Sequence, residues 1–114
     1  LISVLFAGDT KITELNKYYR NIALPTNVLS FPSLYKKTKY GLFLGDIIFS
    51  SETILKEAKR DNKKLEDHLV HLFVHGILHL LGYDHKTIDD AYIMENLEIN
   101  ILQSLNIENP NKEI

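Results

Sequence analysis

The sequence contains no cysteine among its 114 residues. Disulfide bridges and thiolate metal sites are therefore excluded, and a bound metal must be held by histidine, aspartate, glutamate or water. No apolar run approaches the ~20 residues that span a bilayer, and residues 1–6 lack the basic region and cleavage site of a signal peptide. We therefore expect a cytoplasmic protein that does not associate with membranes.

Neither sign of charge is in large excess, because the net charge is only −2. The composition, 45% hydrophobic and 25% charged, is ordinary for a single globular domain. The charges are spread unevenly: Lys36–Lys64 holds eight basic and four acidic residues, and the chain from Asp84 onward holds two basic and seven acidic ones. A basic middle segment can form a surface that tolerates a phosphate backbone, although solvated surface charge explains the same pattern.

Strand and helix patterns interleave along the chain and predict a small α+β domain, α/β-like, with a mixed sheet of about three to four strands covered by helices. Strands are predicted over residues 2–7, 27–31 and 42–49. The first is expected to be buried on both faces. The second is expected to end at Pro32, with residues 33–40 as a surface excursion. Gly45 inside the third predicts a bulge or a close backbone approach.

Apolar residues at helical spacing predict four helices. They cover about residues 11–19, a segment capped by Ser50 or Ser51, residues 65–81, and a final helix that starts at Thr87. Arg20 is expected at the C-terminal end of the first. One domain then covers residues 1–105, followed by a polar tail over 106–114 that we expect to fray. Because Leu1 is not methionine and already belongs to a strand-like run, we also expect a segment upstream of it.

Three histidines follow the pattern His-x-x-x-His-x-x-Gly-x-x-His within residues 74–85. His75 and His79 lie one helical turn apart and share a face, while Gly82 can end the helix in a left-handed conformation that returns His85 to the same point. Three imidazoles leave one position of a zinc ion open, as in catalytic sites. We predict one metal ion per chain, zinc or another divalent transition metal.

The helix that carries His75 and His79 is apolar nearly all round, which predicts a central, buried metal-binding helix. On a helical wheel His68 and His71 fall within the same arc. For His68 we favour solvent exposure. For His71, solvent exposure and a contact with a ligand residue or substrate are equally open.

The histidine spacing resembles the zinc ligands of metzincin proteases, with one difference. In those enzymes the residue after the first histidine is the glutamate that acts as general base. Here it is Gly76, which cannot take a proton. The peptide-hydrolysis mechanism therefore loses its base while the metal geometry survives.

Residues 75–85, read whole as His-Gly-Ile-Leu-His-Leu-Leu-Gly-Tyr-Asp-His, resemble the signature of the YbeY family, bacterial metal-dependent endoribonucleases of ribosomal RNA maturation. The stretches 15–20, 25–32 and 45–47 agree with it, and the resemblance runs from about residue 2 to residue 105. It implies a zinc-dependent hydrolase domain over residues 1–105 that cleaves single-stranded RNA in ribosomal RNA maturation and ribosome quality control. The implied partners are ribosomal RNA and the small ribosomal subunit or its proteins, with no DNA. Family members usually carry a further N-terminal strand and helix, which fits the expected upstream segment.

The resemblance also implies site residues. It carries a functional arginine onto Arg20, whose guanidinium fork suits two phosphate oxygens, with metal-bound water as the nucleophile and no general base identified. His71, Asp84, Asn27 and Asp46 are further candidates for contacts with a metal ligand or substrate, although Asp84 fits equally well as a turn residue. The family commonly has aspartate where this chain has Asn27, which accepts a hydrogen bond but cannot act as a base.

Two other functions stay open. A metallohydrolase of peptides or small esters is favoured by the histidine spacing and opposed by Gly76. A binding factor in ribosome assembly would use the metal structurally.

Overall fold

The structure is a computed structural model that describes residues 1–108, in which three strands and four helices follow one another. The strands are β1 (Ile2–Ala7), β2 (Val28–Thr38) and β3 (Gly41–Ser50), and the helices are α1 (Asp9–Arg20), α2 (Ser51–Arg60), α3 (Leu65–Leu80) and α4 (Ile88–Ser104). This confirms the predicted α+β fold. Of the predicted polar tail, residues 109–114 lie outside the described part of the chain. None of the described helices is long and apolar enough to cross a membrane.

The sheet is mixed, as predicted, and β3 lies at its centre. It pairs parallel with β1 and antiparallel with β2, giving the order β1-β3-β2. A nearly continuous apolar run suits a central strand, because both of its faces are covered. Ile47 and Phe49 of β3 are essentially inaccessible to solvent and form the main core cluster with Ile54, Leu72 and Leu80.

The prediction that β1 is buried on both faces is wrong for the described residues. Leu5 and Phe6 are 54% and 57% exposed, although Phe6 stacks on Phe49 with ring centroids 5.2 Å apart. Within residues 1–108, β1 is an edge strand that pairs only with β3. An apolar run shows that a strand can be buried, but its position in the sheet decides how much of it is covered.

The predicted end of β2 at Pro32 is also wrong, since the strand continues to Thr38 and residues 33–40 belong to a hairpin with β3. The register shifts after Pro32, where Leu34 and Tyr35 adopt left-handed backbone angles with φ of 62° and 56°. Proline is tolerated here because β2 is at the edge of the sheet and the missing N–H falls beside a bulge.

Helix α3 occupies the centre of the molecule, as predicted, and contacts β2, β3, α2 and α4. No residue from Asp67 to Leu80 is exposed. Gly76 lets the helix approach the sheet closely, because a Cβ at this position would lie 3.1 Å from both the Ile47 side chain and Ser30 Oγ.

Gly45 lies at a close contact within the sheet and confirms the close backbone approach predicted for it. Its φ is +144°, and a Cβ there would lie 2.3 Å from the carbonyl oxygen of Phe31 and 2.9 Å from the Leu80 side chain. Leu80 ends α3, so the absence of a side chain at Gly45 helps to set how closely α3 packs on the sheet.

Replacing Gly45 by alanine should destabilise the fold, and Gly41→Ala is a matched control. Gly41 has a similarly positive φ of +129° but no atom within 4 Å of a built Cβ. We expect Gly41→Ala to lower the free energy of unfolding by about 1 kcal/mol through backbone strain alone. Gly45→Ala should lower it by about 3 kcal/mol, since overpacking is added to the strain. Urea denaturation measures both, and equal losses would contradict the steric argument.

Candidate metal centre

The end of α3 brings the third histidine beside the first two. Gly82 has a φ of +99°, its N–H donates to the carbonyl of His79 at 3.0 Å, and the N–H of Tyr83 donates to the carbonyl of Leu78 at 3.0 Å. This pair of bonds is the Schellman motif, which ends a helix and reverses the chain. The left-handed helix end predicted at Gly82 is confirmed, and it places His85 next to the last turn of α3.

His75, His79 and His85 lie together as a compact group of imidazoles. Their ring centroids are 4.5 Å (His75–His79), 5.2 Å (His79–His85) and 5.8 Å (His75–His85) apart. One ring nitrogen from each lies within 4.8 Å of the others, and the Nε2 atoms of His75 and His79 are 3.0 Å apart. In a tetrahedral complex with bonds of ~2.0–2.1 Å, two ligand nitrogens are about 3.3 Å apart. The three side chains therefore fit one metal ion.

The other ring nitrogens of the two helical histidines are held by acceptors. His79 Nδ1 donates to the carbonyl oxygen of Tyr83 at 3.0 Å, and His75 Nδ1 donates to the carboxylate of Glu98. Since these oxygens only accept, each Nδ1 carries a proton, and the Nε2 atoms are the ring nitrogens left to coordinate a metal ion. Burial, followed by the charges of His75 and His85, lowers the pKa of His79, which favours the neutral form that a metal requires.

Glu98 of α4 is a site residue that sequence reasoning missed. It is only 5% exposed, and its carboxylate also accepts from Nε2 of His71 at 3.4 Å. Burial alone would raise its pKa, but hydrogen bonds from His71 and His75, together with their charges, outweigh that effect and lower the pKa to about 2. The residue therefore stays ionised. The sequence did contain a signal for it. Glu98 is a charged residue midway between Met94 and Leu102 on the apolar face of α4, and a carboxylate at such a position indicates a buried group with polar partners.

His71 therefore lies one contact away from the metal centre. Its Nε2 reaches the same carboxylate that orients His75, and its side chain is 17% exposed. Its contact is with Glu98, which in turn contacts the candidate ligand His75. A direct contact of His71 with a metal ligand or substrate stays a prediction.

The prediction that His68 is solvent-exposed is wrong. His68 is 6% exposed, and its Nε2 lies 3.0 Å from Oε1 of Glu57, which also accepts from Asn27 Nδ2 at 3.0 Å. Glu57 is on α2, so the contact forms only once α2 packs against α3. This network fixes the Asn27 amide nitrogen at the start of β2, and Asn27 borders the cavities on both sides of His75.

Arg20 shares a groove of about 750 Å³ with the three histidines. It is the last residue of α1 because Asn21 adopts a left-handed conformation with φ of 57° and caps the helix. The predicted position of Arg20 at the helix end is confirmed. Residues Val28–Pro32 of β2 and the segment after Gly82 form other walls of the groove.

The remaining candidates differ in position. Asp84 lines the groove, and its Oδ1 accepts from the backbone N–H of Lys86 at 3.2 Å, which is the turn role considered for it. Asp46 lies on β3 opposite Phe31 and borders neither this groove nor the 390 Å³ cavity on the α4 side of His75.

Residues 1–106 match the family model described as Endoribonuclease YbeY. The chain belongs to this family. Relatives named Endoribonuclease YbeY from Bartonella bacilliformis and Bartonella quintana are each 50% identical over 99% of this chain and 73% of their own length. The relative from Francisella tularensis subsp. novicida is 43% identical over 96% of this chain and 70% of its own length.

The fold is also similar to a solution structure of a Thermotoga maritima protein. The TM-score is 0.54 at 24% sequence identity, with 98% of this chain and 78% of the other covered. At this identity the likeness supports the fold alone. The family resemblance inferred from residues 75–85 and the agreeing stretches is thus confirmed by the family model and by the relatives.

Replacing Glu98 by glutamine should weaken metal binding without removing a ligand. The change keeps the side-chain shape but removes the charge that holds Nδ1–H of His75, so we expect metal affinity to fall about 10- to 100-fold. Competition against a chromophoric chelator measures it, with Glu14→Gln as a control because Glu14 is exposed on α1. An unchanged affinity in a folded Glu98→Gln protein would contradict this role.

Proposed function

We propose that this chain is a zinc-dependent endoribonuclease that cleaves single-stranded RNA by hydrolysis. The observation that supports the proposal most is the single groove that joins three metal-competent histidines to Arg20. The relatives and the family model carry the name endoribonuclease, which supports RNA as the substrate class. The proposal includes action on ribosomal RNA in the cytoplasm, in contact with the small ribosomal subunit or its proteins, and these finer assignments rest on family membership.

His75, His79 and His85 would hold the ion and leave a fourth position open. Imidazole ligands suit zinc, and other divalent transition metals accept the same set. When bound, the ion supplies a Lewis acid for a phosphoryl oxygen and activates water at neutral pH. Glu98 contributes by fixing the ring of His75, so that its Nε2 faces that of His79.

Arg20 supplies the second requirement of the reaction, which is stabilisation of charge on the phosphate. Its guanidinium can donate two parallel hydrogen bonds to phosphoryl oxygens. It lines the groove at the C-terminal end of α1. The buried residues Ile12 and Asn16 hold this helix against the rest of the protein, so the position of the Arg20 backbone is fixed while its side chain stays flexible.

Two polar side chains next to the histidines are unsuited to accepting the nucleophile's proton. Glu98 has a pKa of about 2, so it is a weak base. Asn27 takes up no proton, but its Oδ1 can accept a hydrogen bond from a groove ligand while its Nδ2 is held by Glu57. We assign Glu98 to ligand orientation and Asn27 to positioning.

A peptidase or esterase is the alternative favoured by the histidine spacing. Against it stands the position of Gly76, which faces Ile47 and Ser30 in the interior of the protein. A side chain there would point into the sheet, so this part of α3 offers no carboxylate to the groove. The other alternative, a ribosome-assembly factor with a structural metal, is opposed by the ligand count, because structural zinc sites are closed by four protein ligands.

His79→Ala should remove both the bound metal and RNA cleavage. Metal content is measured by elemental analysis, and cleavage is measured on single-stranded RNA and on a peptide mixture, each with and without a chelator. We expect the wild-type protein to cut only the RNA and the chelator to stop it. Full metal occupancy in His79→Ala would refute the site, and cleavage of peptides alone would refute the proposed substrate.

Arg20→Glu should abolish RNA cleavage but leave metal content unchanged. The substitution removes the phosphate contact and also reverses the charge, so kcat/KM should fall at least about 100-fold. Lys17→Glu is the matched control, since Lys17 is also basic and in the last turn of α1 but lies outside the groove lining. Equal effects of the two substitutions would show that only the net charge matters.

A further inference from the structure

An exposed aromatic ring lies next to Arg20 at the groove and has no part in the chemistry described above. Tyr19 is 59% exposed and lines the same groove as the three histidines. Its ring centroid is 4.9 Å from that of Phe31 and 4.8 Å from that of Tyr18. The two neighbours restrict the ring without covering it.

The position of Tyr19 on α1 would lead one to expect a buried side chain. Tyr19 follows Ile12 and Asn16 at intervals of seven and three residues, so it belongs to the face of α1 that is buried in the preceding turns. Ile12 is fully buried and Asn16 is 3% exposed, yet Tyr19 remains open because the groove begins there. The helix thus presents a large aromatic surface to the groove while its neighbour Arg20 presents a cation.

Aromatic surfaces of this kind bind unpaired nucleobases. Base stacking on a side-chain ring is tolerant of sequence, and it requires a base whose face is free. In a duplex each base is already stacked between its neighbours, so the ring of Tyr19 would have no face to contact. A cation next to the ring suits the phosphate of the same strand.

We propose that Tyr19, backed by Phe31, is a stacking platform for an unpaired base of the RNA strand whose phosphate Arg20 binds. The platform selects single-stranded over duplex RNA. This inference rests on the proposed function, because it names how the same groove chooses its substrate. Pre-ordering of the ring by Tyr18 and Phe31 reduces the conformational entropy lost on binding.

Binding of a short unstructured RNA, followed by fluorescence anisotropy of an end label, tests the platform in the presence of the chelator that is expected to stop cleavage. Gel analysis at the end of each titration checks that the RNA is intact. We expect Tyr19→Leu to weaken binding about 10-fold and Tyr19→Phe to retain it, since phenylalanine keeps the stacking face. Tyr40→Leu is the matched control: Tyr40 is 75% exposed in the turn between β2 and β3, outside the groove lining.

A second probe makes the test independent of how the variants fold. An abasic oligonucleotide of the same length keeps the sugar-phosphate backbone but has no bases, so the wild-type protein should bind it about 10-fold more weakly than intact RNA. Tyr19→Leu should bind both equally. The salt dependence of binding should be unchanged in Tyr19→Leu and shallower in Arg20→Gln, because only the arginine replaces counterions on a phosphate.

The outcomes separate the two proposals. If the wild-type protein cleaves RNA but binds intact and abasic strands equally, the stacking platform is refuted and the endoribonuclease proposal stands. If Tyr19→Phe loses as much affinity as Tyr19→Leu, the hydroxyl and not the ring face is responsible, and the platform is again refuted. If the wild-type protein neither binds nor cleaves the intact RNA, the proposed function fails and the platform fails with it.

Discussion

The carboxylate of Glu98 accepts hydrogen bonds from His71 and His75 and so joins α4 to α3 at the centre of the molecule. An isolated charge at 5% exposure would be costly, and two imidazole donors offset much of that cost. The same bonds fix the proton of His75 on Nδ1 and turn its Nε2 toward His79. Correct packing of the last helix and correct orientation of a candidate metal ligand therefore depend on one contact.

The site is built from segments that are far apart in the chain. The end of α1 supplies Tyr19 and Arg20, the start of β2 supplies Asn27 and one wall, and α3 with its C-terminal turn supplies the histidines. Two glycines allow this convergence, since Gly76 and Gly45 lie where a side chain would separate α3 from the sheet or collide with Phe31. Metal and phosphate chemistry require reactive groups to be held within about an ångström of a fixed arrangement, and the close packing of α3 on the sheet supports the histidines.

The groove also shows how a protein with a net charge of −2 can bind a polyanion such as RNA. Affinity for a strand depends on local cations and stacking surfaces more than on total charge. Arg20 and Lys86 border the groove together with one acidic residue, Asp84, and the acidic Glu98 is buried behind the histidines. The uneven charge seen along the sequence is therefore less informative than the position of a few side chains around one cavity.

Sequence alone determined what depends on residues close together in the chain. The facing of His75 and His79, the helix end at Gly82 and the cap at Thr87 follow from helical geometry and short-range hydrogen bonds. Only the tertiary structure decided the bond from Glu98 to His75, the burial of His68 against Glu57, the edge position of β1 and the passage of β2 beyond Pro32. These features require partners from distant segments, and local periodicity carries no information about which helix covers which face.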